Sequence, residues 1–99
     1  MIWWVIYDIA GNKTRSRAAS ACMNYGLKRV QKSAFLGELT KNRAEMLALE
    51  IKEIISPNDC VFLIPCCSNC FKDKIIYGEF DEEAVKKKDW YIVTGDNEG

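Results

Sequence analysis

The sequence predicts an α+β domain whose elements follow the order β-α-β-β-α-β, and three observations support this fold class. Residues 2–7 are a continuous run of apolar, aromatic and β-branched side chains, typical of a strand buried on both faces. Residues 60–65 form a second run of this kind. Two helical patterns and two short strand-like segments lie between them. This order predicts the ferredoxin-like arrangement, in which two helices cover one face of an antiparallel sheet.

The first strand ends at Asp8, and a Gly-Asn turn leads into a helix that runs to about residue 25. Asn12 or Thr14 can cap the start of this helix. Gly26 is well placed as the left-handed cap at its end. The face predicted to pack on the sheet consists of Ala18, Ala19, Cys22, Met23 and Tyr25.

Two short strands follow at residues 27–31 and 33–39, with a tight turn at residues 32–33. A second helix runs from its N-cap Thr40 to about Ile55, because apolar residues recur at three- and four-residue spacing. Those residues are Ala44, Leu47, Ala48, Ile51, Ile54 and Ile55. Residues 56–59 end the helix, and residues 60–65 form a fourth strand predicted to be buried. The first and third strands should be central in the sheet.

The C-terminal region predicts one or two additional short strands. Residues 74–78 read as a fifth strand, and residues 90–93 as a last strand-like piece before a frayed end. We therefore expect a ferredoxin-like domain at residues 1–78 and an extension at 79–99, with a candidate interface strand at 90–93. The apolar positions 3–6 also predict that the sheet face without helices is covered. A second subunit is the simplest cover, so the sequence predicts a homodimer.

Composition narrows the class of protein. Hydrophobic residues make up 48% of the 99 residues and charged residues 28%, which is typical of one globular domain. No apolar run approaches the roughly 18 residues of a membrane helix, and residues 1–8 lack the pattern of a signal peptide. We therefore expect a cytoplasmic protein without a membrane partner.

Five cysteines and no histidine restrict the available chemistry. Without histidine there is no Ser-His-Asp triad, no Cys-His nucleophile pair and no mixed Cys/His zinc site. Cys66, Cys67 and Cys70 place three thiols within five residues, but a second ligand pair for structural zinc is missing. A metal site, a redox pair and free thiols remain as alternatives for this segment.

The charge distribution is uneven although the net charge is zero. Residues 9–37 contain six cations and no acid, whereas residues 38–99 contain thirteen acids and eight cations. A basic segment of this kind favours contact with a polyanion, although a solvated helix face gives the same pattern. Within this segment, the cations predicted to contact nucleic acid are Lys13, Arg15, Arg17, Arg29 and Lys32.

Asp8 has two interpretations at the end of the first strand. It can accept hydrogen bonds from the amides of residues 10–12 as a local turn residue. It can also bind a divalent ion, Mg²⁺ or Mn²⁺, through its oxygens. One carboxylate makes a poor site, but a two-fold axis at the sheet face would bring two copies of Asp8 together. Arginines beside such a pair could neutralise a phosphodiester.

Motifs in the first 39 residues resemble the Cas-two family of CRISPR-associated proteins. They are Tyr7-Asp8-Ile9, Lys13-x-Arg15-x-Arg17, Tyr25-Gly26-Leu27 and the segment at 29–39, which reads Arg-Val-Gln-Lys-Ser-Ala-Phe-x-Gly-x-Leu. The resemblance covers residues 2 to about 78. The cysteine segment and residues 90–93 are not core features of the family, so nothing is carried over to them.

The resemblance implies a ferredoxin-like homodimer in which the strand-end aspartates face each other. It implies metal-dependent endonuclease activity on single-stranded RNA or double-stranded DNA, with Mg²⁺ as cofactor and Mn²⁺ as the alternative. It also implies a role in spacer acquisition, in which the dimer bridges two dimers of the CRISPR integrase (Cas-one) and contacts the protospacer duplex. The family's activity-linked positions are Asp8, the metal ligand, with Tyr7, Arg15, Arg17, Arg29 and Phe35. The resemblance also implies that Ser33 lies near the active site, so Ser33 is predicted to contact nucleic acid.

Three alternatives to this function remain open from the sequence. The same fold can serve as a non-catalytic scaffold that holds integrase and DNA. It also occurs in toxin ribonucleases. A metal-handling domain that uses Cys66, Cys67 and Cys70 is the third.

Overall fold

The computed structural model describes residues 1–75 and 77 of the chain. This part contains seven elements: β1 (Ile2–Asp8), α1 (Asn12–Asn24), β2 (Lys28–Gln31), β3 (Ala34–Glu38), α2 (Lys41–Ile54), β4 (Cys60–Cys66) and α3 (Ser68–Lys72). The first six confirm the predicted β-α-β-β-α-β order and the α+β class. None of these helices is long and apolar enough to cross a membrane.

The strands form one antiparallel sheet with the order β2-β3-β1-β4. The prediction that the first and third strands are central is therefore confirmed. Alternate residues of β1 point to opposite faces, so Val5 and Tyr7 are buried against α1 and α2 together with Phe35 and Leu47. The opposite face carries Ile6 and the terminal residue Asp8 in the same alternation.

The two ends of α1 differ in how well the sequence predicted them. Gly26 has a φ of 86°, and it donates to the Met23 carbonyl while Leu27 donates to that of Cys22. This is a Schellman motif, which confirms the predicted left-handed cap. The predicted N-cap is wrong, because Gly11 occupies that position without a side-chain cap. The prediction that Met23 packs on the sheet is also wrong, because Met23 is exposed. The buried face of α1 consists of Ala18, Ala19, Ala21 and Cys22.

Helix α2 follows the sequence closely. Thr40 is the N-cap, and its hydroxyl accepts a hydrogen bond from the Arg43 amide at 3.1 Å. Ala44, Leu47 and Ile51 are buried, as the three- and four-residue spacing predicts.

Strand β4 is not buried as predicted. It lies at the edge of the sheet, and Phe62 and Ile64 on the face away from α1 and α2 are 54% and 45% exposed. Val61 and Leu63 pack toward the helices instead. The continuous apolar run therefore reflects one buried face and one apolar face that is open in the single chain.

Helix α3 was not predicted, and it covers one end of the sheet face opposite α1 and α2. Its Phe71 is 1% exposed and packs with Ile2 and Leu36, and its ring lies 6.5 Å from that of Trp4. Lys74, Ile75 and Tyr77, from the predicted fifth strand, are not in a strand in the single chain. The predicted strand at 90–93 lies outside the described residues.

Gly37 allows β3 to pack closely against Leu27, which lies between α1 and β2. A Cβ atom at this position would lie 2.7 Å from Leu27 Cδ2 and 3.2 Å from Leu27 Cα. We expect Gly37→Ala to lower the free energy of unfolding by about 1–3 kcal/mol, because the buried backbone of Leu27 cannot move freely. Urea denaturation measures this effect. Gly11→Ala, where the nearest atom to the new Cβ lies at 3.5 Å, is the steric control, and its expected loss of roughly 0.5–1 kcal/mol comes from placing alanine at the N-cap of α1.

Candidate functional site

An open groove lies at the end of the sheet where β1 finishes. It has a volume of about 570 Å³ and is bordered by the loop between β1 and α1 and by the turn between β2 and β3. The lining residues are Asp8, Ile9, Arg15, Ser16, Arg29, Lys32 and Ser33. One carboxylate, three cationic side chains and two hydroxyls therefore meet in one groove.

Asp8 is exposed at the mouth of the groove. No donor among residues 1–75 and 77 forms a hydrogen bond to its carboxylate. Asp59 fills the turn-acceptor role instead, accepting from the Ser56 amide at 2.9 Å and from the Ala10 amide at 3.3 Å. The local-turn interpretation of Asp8 is therefore not supported. Its oxygens are free to bind a ligand.

Arg15 holds the loop that follows Asp8. Its Nη1 atom donates to the carbonyl oxygens of Ile9 at 2.9 Å and Ala10 at 3.2 Å, and its Nη2 atom donates to the Asn12 side chain. Because one planar guanidinium binds three acceptors, it fixes the backbone between β1 and α1. The sequence predicted Arg15 as a phosphate contact, and the structure adds this positioning role.

Replacement of Arg15 by alanine should therefore affect stability as well as activity. We expect Arg15→Ala to lower the free energy of unfolding by about 1–2 kcal/mol, since three hydrogen bonds of modest net value are lost. Arg17→Ala is the matched control, because Arg17 is exposed on α1 outside the groove. Chemical denaturation of both variants separates the roles. Equal stability of the two variants would contradict the positioning role of Arg15.

Arg29, Tyr7 and Phe35 form a connected cluster beside the groove. The Nη2 atom of Arg29 donates to the Tyr7 hydroxyl at 3.4 Å, and its guanidinium lies 5.2 Å from the centre of the Phe35 ring. The Tyr7 and Phe35 rings are 6.2 Å apart. Phe35 has no exposed surface and Tyr7 is 3% exposed. In the single chain, these two buried rings therefore affect the groove by holding Arg29 in position.

The remaining residues predicted to contact nucleic acid divide into two groups. Lys32 and Ser33 line the groove from the turn between β2 and β3. Lys13 and Arg17 are exposed on α1 and do not line it. Arg17 instead borders a shallower groove of about 350 Å³ between α1 and α2, together with Glu50.

Two residues of this region were missed by sequence reasoning. Ser16 lines the groove beside Arg15, its neighbour on α1. Asp59 supports the β1–α1 loop from a position 49 residues away along the chain. No local pattern signals that contact.

The carboxylates of a single chain do not complete a metal site here. Across the described residues, no group of three Cys, Asp or Glu side chains converges as metal ligands. Within the described part of the chain, Asp8 is the one acid that lines the groove. An oxygen-ligated ion such as Mg²⁺ or Mn²⁺ uses one or two protein carboxylates together with water and phosphate oxygens. Asp8 therefore offers one carboxylate of the kind that such an ion binds.

Comparison with known proteins identifies the family. The family model described as CRISPR associated protein Cas2 matches residues 1–74, three quarters of the chain. The chain belongs to the Cas2 family. The matched range contains β1, the groove and α3, so the Cas2 resemblance of the sequence motifs is confirmed.

Individual Cas2 proteins support this assignment. The protein from Archaeoglobus fulgidus named CRISPR-associated endoribonuclease Cas2 1 is 39% identical over 89 residues, which are 89% of this chain and 95% of that protein. The crystal structure of Streptococcus pyogenes Cas2 has a TM-score of 0.70 at 25% identity and covers 79% of this chain and 100% of its own. The ferredoxin-like fold is thereby confirmed.

One relative joins two proteins in a single chain. A Thermoproteus tenax protein named as a CRISPR-associated endonuclease Cas1/endonuclease Cas2 fusion is 40% identical over 52 residues. The match spans 48% of this chain and 20% of the fusion.

Proposed function

We propose that this protein is a metal-dependent endonuclease of CRISPR adaptation that cleaves single-stranded RNA, double-stranded DNA or both. The observation that carries the proposal is the carboxylate of Asp8, which accepts no hydrogen bond from the described residues and lies in a groove lined by Arg15, Arg29 and Lys32. A carboxylate ligand beside cations is the arrangement that phosphodiester hydrolysis requires. The names of its relatives, which describe endoribonucleases, support the same reaction class.

The active form in this proposal is a homodimer. Ile6, Phe62 and Ile64 form an open apolar patch on the sheet face that also carries Asp8. Exposed patches of this kind are commonly covered by a partner chain. Packing two such faces about a two-fold axis places two Asp8 carboxylates near the axis and supplies the second ligand that one chain lacks.

Each groove residue has a distinct role in the proposed reaction. Asp8 of each chain would hold the divalent ion, which would supply charge neutralisation and lower the pKa of an attacking water. Arg29 and Lys32 bind the phosphate oxygens, and contact with Tyr7 and Phe35 holds Arg29 in place. Ser16 and Ser33 offer hydroxyl donors. Arg15 keeps the loop after Asp8 in its conformation.

The partners in this proposal are the CRISPR integrase and the protospacer duplex. The Thermoproteus tenax fusion supports an association of this kind, because its two named parts share one chain. The open β4 edge and the residues after α3 are the segments that we assign to contacts with other chains. Here the protein would bridge two integrase dimers.

A non-catalytic scaffold is the second candidate function, and the fusion relative is the observation that favours it. In that function Asp8 is dispensable, while the basic groove still contacts DNA. The match to the Cas2 family favours both CRISPR functions over a toxin ribonuclease.

A cleavage assay tests the proposal directly. Purified protein is incubated with end-labelled single-stranded RNA or duplex DNA in Mg²⁺, in Mn²⁺ or in excess chelator. We expect products with at least one of the two ions and none with chelator. Intact substrates under every condition would favour the scaffold function.

The salt dependence of binding tests the basic groove. If Arg29 and Lys32 contact phosphates, log K should fall linearly with log salt, by roughly 0.7–0.9 for each contact. Substituting Lys32 with alanine removes two contacts from a dimer and should lower the slope by roughly 1.4–1.8. Lys52→Ala on the exposed surface of α2 is the control. An unchanged slope for Lys32→Ala would remove this residue from the interface.

A further inference from the structure

Three thiols meet where β4 ends and α3 begins. Cys66 is the last residue of β4, Cys67 directly precedes α3, and Cys70 is the third residue of α3. Cys67 and Cys70 are exposed, whereas Cys66 is half-buried. The register places Cys66 opposite Ile2 and Cys60 opposite Asp8. These three thiols therefore lie at the other end of the sheet from the nuclease groove.

Cys67 and Cys70 are in direct contact. The Sγ atom of Cys67 accepts a hydrogen bond from the Cys70 backbone amide at 3.3 Å. The Cys70 amide lowers the pKa of the Cys67 thiol, while the neighbouring Cys67 side chain raises the pKa of the Cys70 thiol. One member of the pair is thus favoured as a thiolate and the other as a neutral thiol.

We propose that Cys67 and Cys70 form a redox-active dithiol that reacts with small-molecule disulfides and closes to an intramolecular disulfide. The Cys67 thiolate attacks one sulfur of the small disulfide, forming a mixed disulfide and releasing one small thiolate. Cys70 then loses its proton and attacks the Cys67 sulfur, which releases the second thiolate. The dithiol loses two electrons, and the small disulfide gains them.

The other cysteines do not compete for this reaction. Cys22 is fully buried, and burial raises the pKa of its thiol to about 12. Cys60 is separated from Cys66 by the length of β4, roughly 20 Å at about 3.3 Å per residue. Cys66 donates to the Cys67 carbonyl at 3.5 Å, and burial raises the pKa of its thiol. A link between the adjacent Cys66 and Cys67 would also distort the peptide between them.

Closure of the disulfide does not require α3 to leave the sheet. Phe71 anchors the helix against Ile2 and Leu36, and the Cys67 sulfur already lies 3.3 Å from the Cys70 backbone nitrogen while this anchor is in place. The reaction can therefore occur in the folded protein. The disulfide would hold the first turn of α3, and with it the anchor that covers one end of the sheet face.

The experiment exposes reduced full-length protein to a series of oxidised-to-reduced glutathione ratios. Samples are quenched with acid, free thiols are alkylated, and peptides are mapped by mass spectrometry. We expect one disulfide, between Cys67 and Cys70, in the wild type and in Cys60→Ser. Cys70→Ser should instead accumulate a mixed glutathione disulfide at Cys67. A different pairing, or fully reduced thiols at the highest ratio, would overturn the proposal.

A rate measurement on the unmodified protein supplies a second test. Iodoacetamide at pH 7 should alkylate Cys67 at least about threefold faster than Cys70 in the same molecule, because the Cys70 amide lowers the pKa of Cys67 while the Cys67 side chain raises the pKa of Cys70. Cys70 is the internal reference because it is also exposed. Equal rates at the two residues would contradict the assignment of Cys67 as the attacking thiol.

Discussion

Asp8→Asn is expected to reduce metal-dependent cleavage of RNA or duplex DNA by at least about 100-fold. The substitution keeps the size of the side chain and removes the charge that binds the ion. Metal catalysis lowers the activation free energy by several kcal/mol, and about 1.4 kcal/mol corresponds to a tenfold change in rate. Asp8 accepts no hydrogen bond within the described chain, so the fold should be unaffected. Initial cleavage rates in Mg²⁺ and Mn²⁺ measure the loss.

The control for this experiment is Glu53→Gln, which removes an exposed carboxylate from α2. Its cleavage rate should equal that of the wild type. Both variants should keep the oligomeric state and denaturation midpoint of the wild type. Cleavage that persists undiminished in highly purified Asp8→Asn protein would show that Asp8 is not catalytic. If neither the wild type nor Asp8→Asn cleaves and the variant still supports spacer acquisition, the scaffold function is favoured.

Phe62→Glu is expected to dissociate the homodimer and to abolish cleavage with it. Phe62 is 54% exposed in the single chain and lies beside Ile6 on the face that carries Asp8. Burying a Phe side chain contributes about 1.5–3 kcal/mol, and the two-fold axis doubles the effect of one substitution. The dissociation constant should therefore rise by at least about 100-fold. Sedimentation velocity over a concentration series measures it.

Leu49→Glu is the matched control, because Leu49 is 63% exposed on α2, on the opposite side of the sheet. It replaces an exposed apolar residue with the same charge and should leave the dimer intact. If Phe62→Glu sediments as the wild type does, the sheet face is not the interface. If Phe62→Glu is monomeric and still cleaves at the wild-type rate, one chain is sufficient for catalysis.

Most of the fold could be predicted because its determinants are local. The apolar run of β1, the Thr40 cap and the spacing of Ala44, Leu47 and Ile51 each specify an element without distant contacts. Gly26 is predictable for the same reason, since a left-handed residue at a helix end favours glycine.

The elements that were missed depend on tertiary contacts. Helix α3 is five residues long, and its position depends on Phe71 packing against residues far away in sequence. The exposure of Phe62 and Ile64 follows from the edge position of β4, which an apolar run does not reveal. A strand buried on both faces within one chain and a strand whose second apolar face is exposed in the single chain have the same apolar composition.

The candidate site was predicted in part for a related reason. Asp8, Arg29, Lys32 and Ser33 come from separate elements, and the fold brings them to one groove. The contacts of Arg15 with the Ile9 and Ala10 carbonyls are short-range, but no sequence pattern distinguishes them from a contact with phosphate. Arg17, six residues into α1, was grouped with Arg15 although it points to another groove.

The number of metal ions bound per chain tests the central claim that two Asp8 carboxylates build one site. Mn²⁺ binding can be counted by electron paramagnetic resonance of the free ion during a titration. We expect one ion for two wild-type chains, with binding lost in both Asp8→Asn and monomeric Phe62→Glu. One ion for each chain in monomeric Phe62→Glu, or unchanged binding by Asp8→Asn, would contradict a site shared between two chains.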